Sequence, residues 1–324
     1  MSFPAATNLR SAMRLSIGTM LDGEMSPEVM RQLLPMLPVE TITPEELAGA
    51  VEAVMERAVT FSPQSDAVDC CGTGGDGQHS LNISTATAIV VAATGTKVAK
   101  HGNSAVSSKS GSADVLAALG VNIDAAPAIL NRCLNKVGLA FFFAQRFHPG
   151  FAHVASIRRE LGGRTIFNLL GPLCNPARVS RQLIGVFDRR LIPTYVEAAR
   201  LLGRKSVLVV HGEDGFDECS ISAATLGATF HQTFRFTPED AGLTRYAASA
   251  LRGGDAATNA QALRAILSGV EGAYRDAVLL NAAATLLAAE KTPDLRAGVA
   301  RAAEAIDSGQ ALHTLHALIK ASHE

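Results

Sequence analysis

The first 60 residues carry apolar side chains at helical spacing, and no strand-like alternation occurs before Ala67. Leu9 to Met20 form a loosely amphipathic segment. Ser26 followed by proline begins a second helix, because serine caps helices and proline is favoured in the first turn. Thr43 with Glu46 fits a capping box that begins a third helix. This pattern predicts a helical N-terminal module, which we expect to serve packing or dimerisation rather than catalysis.

After residue 65 the pattern changes to short apolar runs that alternate with helix-like stretches. Such alternation predicts an α/β fold in which a mainly parallel central sheet is flanked by helices. The chain becomes Ala- and Leu-rich helix from Ala256 almost to its end. The predicted strands are Ala67–Cys71, Lys97–Lys100, Leu139–Phe143, Leu183–Phe187 and Ser206–Val210, and the predicted helices between them are Ser84–Ala93, Ala113–Leu119, Pro127–Lys136 and Leu191–Leu202.

One segment, residues 146–177, interrupts the alternation. It contains a basic helix-like piece, His153–Leu161, and then an irregular apolar run that ends at two prolines. We expect this excursion to leave the sheet and return to the N-terminal helices. The chain is therefore predicted to form a small all-helical domain, residues 1–64 completed by about 146–177, and a larger α/β domain, residues 65–145 and 178–324, with a cleft between them.

The composition fits a large globular protein and excludes several classes. With 324 residues, of which 48% are hydrophobic, the chain can bury an extensive core. Its 29 basic and 30 acidic residues give a net charge of -1, so nucleic acid is not an expected partner. Five cysteines without a CxxC pair argue against both a disulfide framework and a zinc site. No secretion signal or membrane-spanning run of roughly 18 apolar residues is present, so we expect a cytoplasmic protein with free thiols and no membrane association.

The stretch from Asp69 to Asp114 carries the strongest chemical signal. Glycines follow its first predicted strand, and Asn82, Ser84 and Thr85 begin the next predicted helix. Between Gly77 and Ala113 the stretch contains three lysines and two histidines but no Asp or Glu. Exposed backbone N–H groups, a helix N-terminus and cations without a competing carboxylate are features that bind a polyanion. The stretch therefore predicts a phosphate-binding site.

Two common nucleotide motifs do not account for this stretch. Gly72, Gly74 and Gly77 satisfy the spacing GxGxxG, but the window about 20 residues further on holds cations where a dinucleotide site needs an acidic residue. A Walker A sequence is absent. A tight turn between strand and helix explains some of the glycines. It does not explain why Thr73 and Asp76 lie in the same turn.

A second polar cluster, His211–Glu218, directly follows the predicted strand that ends at Val210. Acidic side chains at the carboxyl end of a parallel strand lie where α/β proteins bind ligands, and their oxygen atoms suit Mg²⁺. A solvated acidic loop is the alternative for this cluster alone, but its pairing with the phosphate-binding stretch favours magnesium. No GxSxG or HExxH motif occurs, and Cys70 and Cys71 lie in a predicted buried strand, so no nucleophile is indicated.

Six motifs, in this order, resemble those of the anthranilate phosphoribosyltransferases of tryptophan biosynthesis. The resemblance covers nearly the whole chain from about Met20, whereas the DD-containing signature of the commoner phosphoribosyltransferase class is absent. The motifs are GTGGDG at 72–77, NIST at 82–85, KHGN at 100–103, SSKSGSADVL at 107–116, RRELGGRTIFNLLGPLCNPA at 158–177 and HGEDGFDE at 211–218.

The resemblance implies roles for individual residues. Ser84, Asp217 and Glu218 would hold Mg²⁺, with two ions per active site. Arg158 would face the anthranilate carboxylate, and Gly72, His101 and Asn103 would line the path of the same substrate. The residues implied to bind phosphoribosyl pyrophosphate (PRPP) are Gly72, Thr73, Gly74, Gly75, Asp76, Ser80, Asn82, Ser84, Thr85, Lys100, Ser107, Ser108, Gly111 and Ser112.

The implied reaction transfers the 5-phosphoribosyl group from PRPP to anthranilate and gives N-(5-phosphoribosyl)anthranilate and pyrophosphate. The weakly basic amine can attack without a strong base, so positioning should contribute much of the rate, with His101 as the candidate proton acceptor. Homodimerisation through the N-terminal helices is also implied. Two alternatives are a pyrimidine nucleoside phosphorylase of related architecture and a non-catalytic paralogue that binds nucleic acid.

Overall fold

The computed structural model of the chain describes residues 6–37, 39–105 and 109–324. In these residues the strands are β1 (Val68–Gly72), β2 (Val98–Gly102), β3 (Leu139–Phe143), β4 (Arg181–Gly185), β5 (Ser206–Gly212), β6 (Thr225–Ala228) and β7 (Thr233–Phe236). The α-helices are α1 (Ala6–Leu21), α2 (Pro27–Leu33), α3 (Pro44–Glu56), α4 (Ile83–Ala93), α5 (Ser112–Leu119), α6 (Pro127–Lys136), α7 (Ala144–Phe147), α8 (Ala152–Leu161), α9 (Phe167–Leu170), α10 (Ile192–Leu201), α11 (Ala256–Leu267), α12 (Ala273–Ala288), α13 (Leu295–Asp307) and α14 (Gln310–Ser322).

The seven strands form one sheet in the order β3-β2-β1-β4-β5-β6-β7. The first five strands in this order pair in parallel, with Gly72 opposite Gly185 and Lys100 opposite Phe141. Strands β6 and β7 extend the sheet by antiparallel pairing beyond β5. The predicted α/β class and the five predicted strands are confirmed, but β6 and β7 were missed.

Local capping signals determine where several helices begin. The Thr43 hydroxyl accepts a hydrogen bond from the Glu46 backbone N–H at 3.2 Å, and the Glu46 carboxylate accepts from the Thr43 backbone N–H at 2.9 Å. This is the predicted capping box, and it satisfies two N–H groups that lack partners inside α3. Ser26 caps α2 in a similar way, through its side-chain oxygen and the Val29 backbone N–H.

Alternate side chains of β4 and β5 enter two hydrophobic cores on opposite faces of the sheet. Leu183 and Leu208 join a core that includes α4 and α12. Ile184 and Val209 join a second core that includes α3 and α10. The period of two that places neighbouring strand residues on opposite faces explains this division.

The excursion, residues 146–177, packs on the N-terminal helices. Helix α8 contacts α1 and α2, and α9 contacts α3. The side chains of Val154, Ile157 and Phe167 in the excursion are buried in the same core as Ile17 and Leu47. The fold therefore combines an N-terminal helical domain with a larger α/β domain. In the part of the chain that the structure describes, no helix has the length and apolar character needed to cross a bilayer.

Candidate active site

Two loops meet at the edge of the sheet where the parallel strands end. The glycine loop (Gly72–Gly77) follows β1, and the acidic loop (Glu213–Glu218) follows β5. The Gly74 backbone N–H donates to Asp217 Oδ2 at 2.6 Å, which joins the two loops directly. A Cβ at Gly72 would lie 2.2 Å from Asp217 Oδ2, and one at Gly185 would lie 1.6 Å from the Asp217 carbonyl oxygen. Both positions therefore require glycine.

Asp217 and Glu218 are acids whose charged forms are disfavoured. Burial, together with the charge of Asp76, raises the pKa of Asp217 to about 7. Burial and the charge of Asp217 raise the pKa of Glu218 well above its usual range. A bound cation would relieve this repulsion, and hard oxygen donors are the ligands that Mg²⁺ takes, so the residues fit the ion. The described residues contain no group of three or more His, Cys, Asp or Glu side chains that could hold a metal ion on their own.

A buried asparagine on α12 holds the end of the acidic loop. Asn281 Oδ1 accepts from the Cys219 backbone N–H, and Asn281 Nδ2 donates to the Cys219 carbonyl oxygen, both at 2.9 Å. Asn281 is fully buried, so these bonds form without competition from water. The sequence contained a signal for it, because it is a polar residue inside the longest apolar helical run.

The N-terminus of α4 approaches the same acids. The Ser84 backbone N–H donates to the Glu218 carboxylate. Asn82 is held from three sides: its side chain donates to the Ser110 carbonyl oxygen at 3.2 Å and accepts from Asn259 at 2.9 Å, and its carbonyl oxygen accepts from the Tyr274 hydroxyl at 3.1 Å. Asn259 and Tyr274 lie far along the chain from α4, and sequence reasoning missed both.

Lys100 is a buried cation next to the N-terminus of α4. Its Nζ donates to the Cys70 carbonyl oxygen at 2.8 Å and to Ser84 Oγ at 3.2 Å. Burial alone would lower the pKa of Lys100, but the neighbouring acidic groups, including Asp69 and Glu218, outweigh burial and the net shift is upward. The lysine therefore stays charged beside the predicted metal ligands.

Thr85, another predicted PRPP ligand, is only 1% exposed. Its hydroxyl has no hydrogen-bond partner among the described residues. Burial of an unpaired hydroxyl is unfavourable.

His101 is buried and neutral. Its Nδ1 lies 3.0 Å from the Gly171 carbonyl oxygen, which can only accept, so Nδ1 carries the proton and Nε2 presents a lone pair. Burial and the neighbouring ring of His148 lower the pKa of His101 to about 3. Within the described residues Nε2 has no hydrogen-bond partner.

Two buried polar side chains, Asp69 and Asn175, hold the backbone of His101 through hydrogen bonds. Asp69 Oδ1 accepts from the His101 backbone N–H at 3.2 Å, and Asn175 Nδ2 donates to Asp69 Oδ2 at 2.8 Å. Both side chains are fully buried. Sequence reasoning missed this pair, because the partners are 106 residues apart and no local sequence pattern links them.

Arg158 belongs to the excursion, on α8, and Asn103 directly follows β2. The Arg158 guanidinium lies 5.5 Å from the centroid of the Phe167 ring, and it has no ion-pair partner in the described part of the chain. Burial lowers the pKa of Arg158, as expected for a cation that lacks a counter-charge. Asn103 Oδ1 accepts from Gln145 Nε2 at 3.3 Å.

Arg164 is a further contact of the glycine loop that sequence reasoning missed. Its Nη2 donates to the Gly75 carbonyl oxygen, and its guanidinium lies 4.0 Å from the centroid of the Phe187 ring. The Phe187 backbone N–H donates in turn to Thr73 Oγ1 at 3.0 Å. Arg164 and the end of β4 therefore hold the glycine loop from two sides.

The remaining predicted PRPP ligands lie around this centre. Ser80 forms an isolated bridge with Arg252. The Gly111 backbone N–H donates to Asp114 Oδ2 at 2.7 Å, and the Ser112 hydroxyl donates to the Asn103 carbonyl oxygen at 3.2 Å. Ser107 and Ser108 lie outside the described residues.

Comparison with known proteins places the chain among transferases. Residues 64–312 match a family described as glycosyl transferase family, a/b domain. The chain is 51% identical to the anthranilate phosphoribosyltransferase of Rhodopseudomonas palustris strain HaA2 over 94% of this chain and 91% of the relative.

Two solved structures have the same architecture. The crystal structure of anthranilate phosphoribosyltransferase from Thermus thermophilus aligns with a TM-score of 0.93 at 40% identity and covers 100% of this chain and 97% of that one. The enzyme from Saccharomyces cerevisiae in complex with PRPP and Mg aligns with a TM-score of 0.89 at 30% identity, covering 98% and 93% of the two chains.

Proposed function

The chain belongs to the anthranilate phosphoribosyltransferase family and is an enzyme of that kind, and from this premise we propose how it acts. It transfers the 5-phosphoribosyl group of PRPP to the amine of anthranilate, and the products are N-(5-phosphoribosyl)anthranilate and pyrophosphate. The observation that carries this proposal is the direct contact of the buried acid Asp217 with the glycine loop, at 2.6 Å from the Gly74 nitrogen. A diphosphate in that loop would lie beside metal-binding carboxylates.

The glycine loop and α4 form the PRPP site in this proposal. Among the described residues, no hydrogen bond involves the backbone N–H groups of Gly75 or Gly77, so these donors are available to phosphate oxygens. The N-terminus of α4 adds a favourable dipole, and Lys100 adds a positive charge. Yeast anthranilate phosphoribosyltransferase in complex with PRPP and Mg supports this assignment.

Asp217, Glu218 and Ser84 would hold Mg²⁺, two ions per site. Two carboxylates are few for a fully protein-bound ion, but Mg²⁺ commonly completes its shell with water and substrate phosphates. When bound, the ions neutralise charge on the pyrophosphate group as it leaves. The protein contributes buried carboxyl groups whose charged forms a bound cation would stabilise.

On the acceptor side, Arg158 would bind the anthranilate carboxylate and His101 would orient the amine. Arg158 suits this role because it carries an unpaired charge beside the Phe167 ring. His101 Nε2 can accept a hydrogen bond from the amine, but a pKa of about 3 makes the imidazole a weak proton acceptor. We therefore assign it mainly to positioning, with Gly72 and Asn103 lining the same path.

The domain division and the assembly are part of the proposal. Residues 1–64 with about 146–177 would form the helical domain and residues 65–145 with 178–324 the α/β domain, so that closure of one on the other encloses both substrates. Two chains would associate through the N-terminal helices. Five free cysteines support a cytoplasmic setting.

The direct test is loss of anthranilate fluorescence when the purified protein is mixed with PRPP and Mg²⁺. We expect decay that requires both additions and produces one pyrophosphate for each anthranilate consumed. Omission of Mg²⁺ is the control for the metal, and thymidine with phosphate is the control for nucleoside phosphorylase activity. Stable fluorescence at high protein concentration, or release of base from thymidine, would refute the proposal.

A further inference from the structure

A cavity of about 400 Å³ lies away from the active site, between α3 and the segments that precede β4 and β5. We call it the arginine cavity. Residues 178–180 and 201–204 form one side, and Val51 and Met55 of α3 form the other. Because β4 and β5 are parallel and begin after these segments, the cavity lies at the amino edge of the sheet. The glycine and acidic loops are at the opposite edge, so the two sites are separate.

The charges around the arginine cavity are not balanced internally. Three arginines and two glutamates line it. Arg10 is neutralised by Glu52, with Nη2 and Oε1 2.5 Å apart. Arg178 and Arg204, in contrast, form no ion pair with any described residue. The second glutamate, Glu56, pairs with an arginine outside the cavity, so two guanidinium groups are left without counter-charges at one wall.

Both of these arginines bind only backbone oxygen atoms. Arg178 Nη2 donates to the Met55 carbonyl oxygen at 3.2 Å. Arg204 donates to the carbonyl oxygens of Val179 at 2.7 Å and Leu173 at 2.9 Å. Its Nε atom is buried, and within the described residues it has no hydrogen-bond partner. Burial lowers the pKa of Arg204, and the nearby charge of Arg178 adds to that shift, which is the state that a bound anion would relieve.

The rest of the wall indicates the class of anion. Planar guanidinium groups match carboxylate and phosphate oxygens, and Arg178 is exposed at the mouth, where it can meet a ligand. Val51, Met55 and Leu201 supply apolar surface next to the arginines. A volume of about 400 Å³ is within the range that encloses a small organic molecule. An inorganic ion would leave the apolar surface uncovered.

We propose that the arginine cavity binds a small organic oxyanion, with its carboxylate or phosphate group on Arg178 and Arg204 and its apolar body against α3. The ligand supplies the counter-charge that these two guanidinium groups lack within the described residues. This site does not depend on the assigned reaction, because none of its residues contacts the glycine loop or the acidic loop.

Fluorine NMR of the full chain with two probes, para-fluorophenyl phosphate and para-fluorophenylacetate, tests the proposal. Para-fluorobenzyl alcohol serves as the neutral analogue. Arg178→Gln should fold, since the side chain is exposed and donates to one carbonyl oxygen, and it should keep anthranilate turnover. We expect at least one anionic probe to lose about tenfold or more in affinity in this variant, because a charge-assisted hydrogen bond is removed. The probe that loses affinity identifies the headgroup.

Two control variants distinguish binding in the arginine cavity from binding elsewhere on the protein. Arg181→Gln removes an arginine three positions away that pairs with Glu290, and Arg158→Gln removes the candidate acceptor residue of the active site. Both should keep the cavity affinity of the parent chain. The proposal is overturned if neither anionic probe binds, if Arg178→Gln binds both as the parent does, if the alcohol binds equally well, or if affinity is lost only in Arg158→Gln.

Discussion

At the scale of single residues, Asp217 makes the folded chain sensitive to pH. Its pKa is about 7 in the folded chain, against 3.8 for an ordinary aspartate. Between these values the folded state binds more protons than the unfolded state, so the free energy of unfolding falls as pH rises through this interval. Above it, the destabilisation is fully present unless a cation is bound.

Replacing Asp217 by Asn should therefore separate stability from activity. Without Mg²⁺ or substrate, we expect Asp217→Asn to raise the melting temperature at pH 8 by about 2 °C or more, and we expect this gain to shrink toward pH ~4. Mg²⁺-dependent turnover should fall by about 100-fold or more, since a proposed metal ligand is lost. Calorimetry across pH and the fluorescence assay measure the two effects.

Asp188→Asn is the matched control, because the Arg190 side chain lowers the pKa of Asp188 and its charge is favoured in the folded chain. Its substitution should not stabilise the protein at pH 8. A lower melting temperature for Asp217→Asn than for the parent at pH 8 would contradict the electrostatic argument.

Arg164 provides a second prediction at this scale, as a positioning residue for the glycine loop. Arg164→Met should raise KM for PRPP roughly tenfold and leave kcat near the parent value, because it removes a charge-assisted hydrogen bond to Gly75 and the contact with Phe187. Arg159→Met, which removes an exposed arginine of α8, is the control. Steady-state kinetics with PRPP varied provide the measurement, and an unchanged KM in Arg164→Met would refute the role.

At the scale of elements, the end of β4 and the acidic loop approach each other too closely for any side chain at Gly185. A Cβ there would lie 1.6 Å from the Asp217 carbonyl oxygen, which belongs to backbone and cannot rotate away. Gly185→Ala should destabilise the fold by more than about 3 kcal/mol, the upper range for overpacking. We expect lower soluble yield and a lower melting temperature.

Gly163→Ala is the control for this substitution. The nearest atom to a Cβ at Gly163 is 3.9 Å away, and its φ angle is not in the left-handed region. Equal thermal stability of the two alanine variants would show that the contact between β4 and the acidic loop is not tight in solution.

The elements that sequence reasoning predicted well are those with local causes. The capping box of Thr43 needs only four residues, and α6 begins at its predicted proline, Pro127. Strands β6 and β7 were missed because each has four residues and their pairing depends on the free edge of β5. A strand of four residues has little signal of its own, since its partner supplies the stabilisation.

The residues of the candidate site also fall into a group that the sequence predicts and a group that it does not. The glycine loop and the acids that contact it could be predicted, because each group is contiguous in sequence and the ends of parallel strands meet at one edge. The buried residues that hold these groups in place could not be predicted. Asn175 reaches Asp69 across 106 positions, and Asn259 reaches Asn82 across 177. Contacts of that separation follow from the packing of whole elements and leave no local pattern.

At the scale of the molecule, the apolar surface is unevenly distributed. Four of the five large hydrophobic side chains that are exposed in the described residues lie within the first 60 positions. Leu15 on α1 is 72% exposed, and Met36 after α2 is 78% exposed. Exposed apolar side chains that form a contiguous patch mark association surfaces. This distribution supports the proposed homodimer through the N-terminal helices.

Leu15→Glu should therefore weaken self-association. Placing a charge in an apolar contact costs on the order of 1–3 kcal/mol, which corresponds to roughly tenfold or more in the dissociation constant. Val270→Glu makes the same change at a side chain of the α/β domain that is 55% exposed, and it should leave association unchanged. Sedimentation velocity at micromolar concentration distinguishes the outcomes. A monomeric parent chain, or dissociation caused by Val270→Glu and not by Leu15→Glu, would show that the N-terminal helices are not the dimer surface.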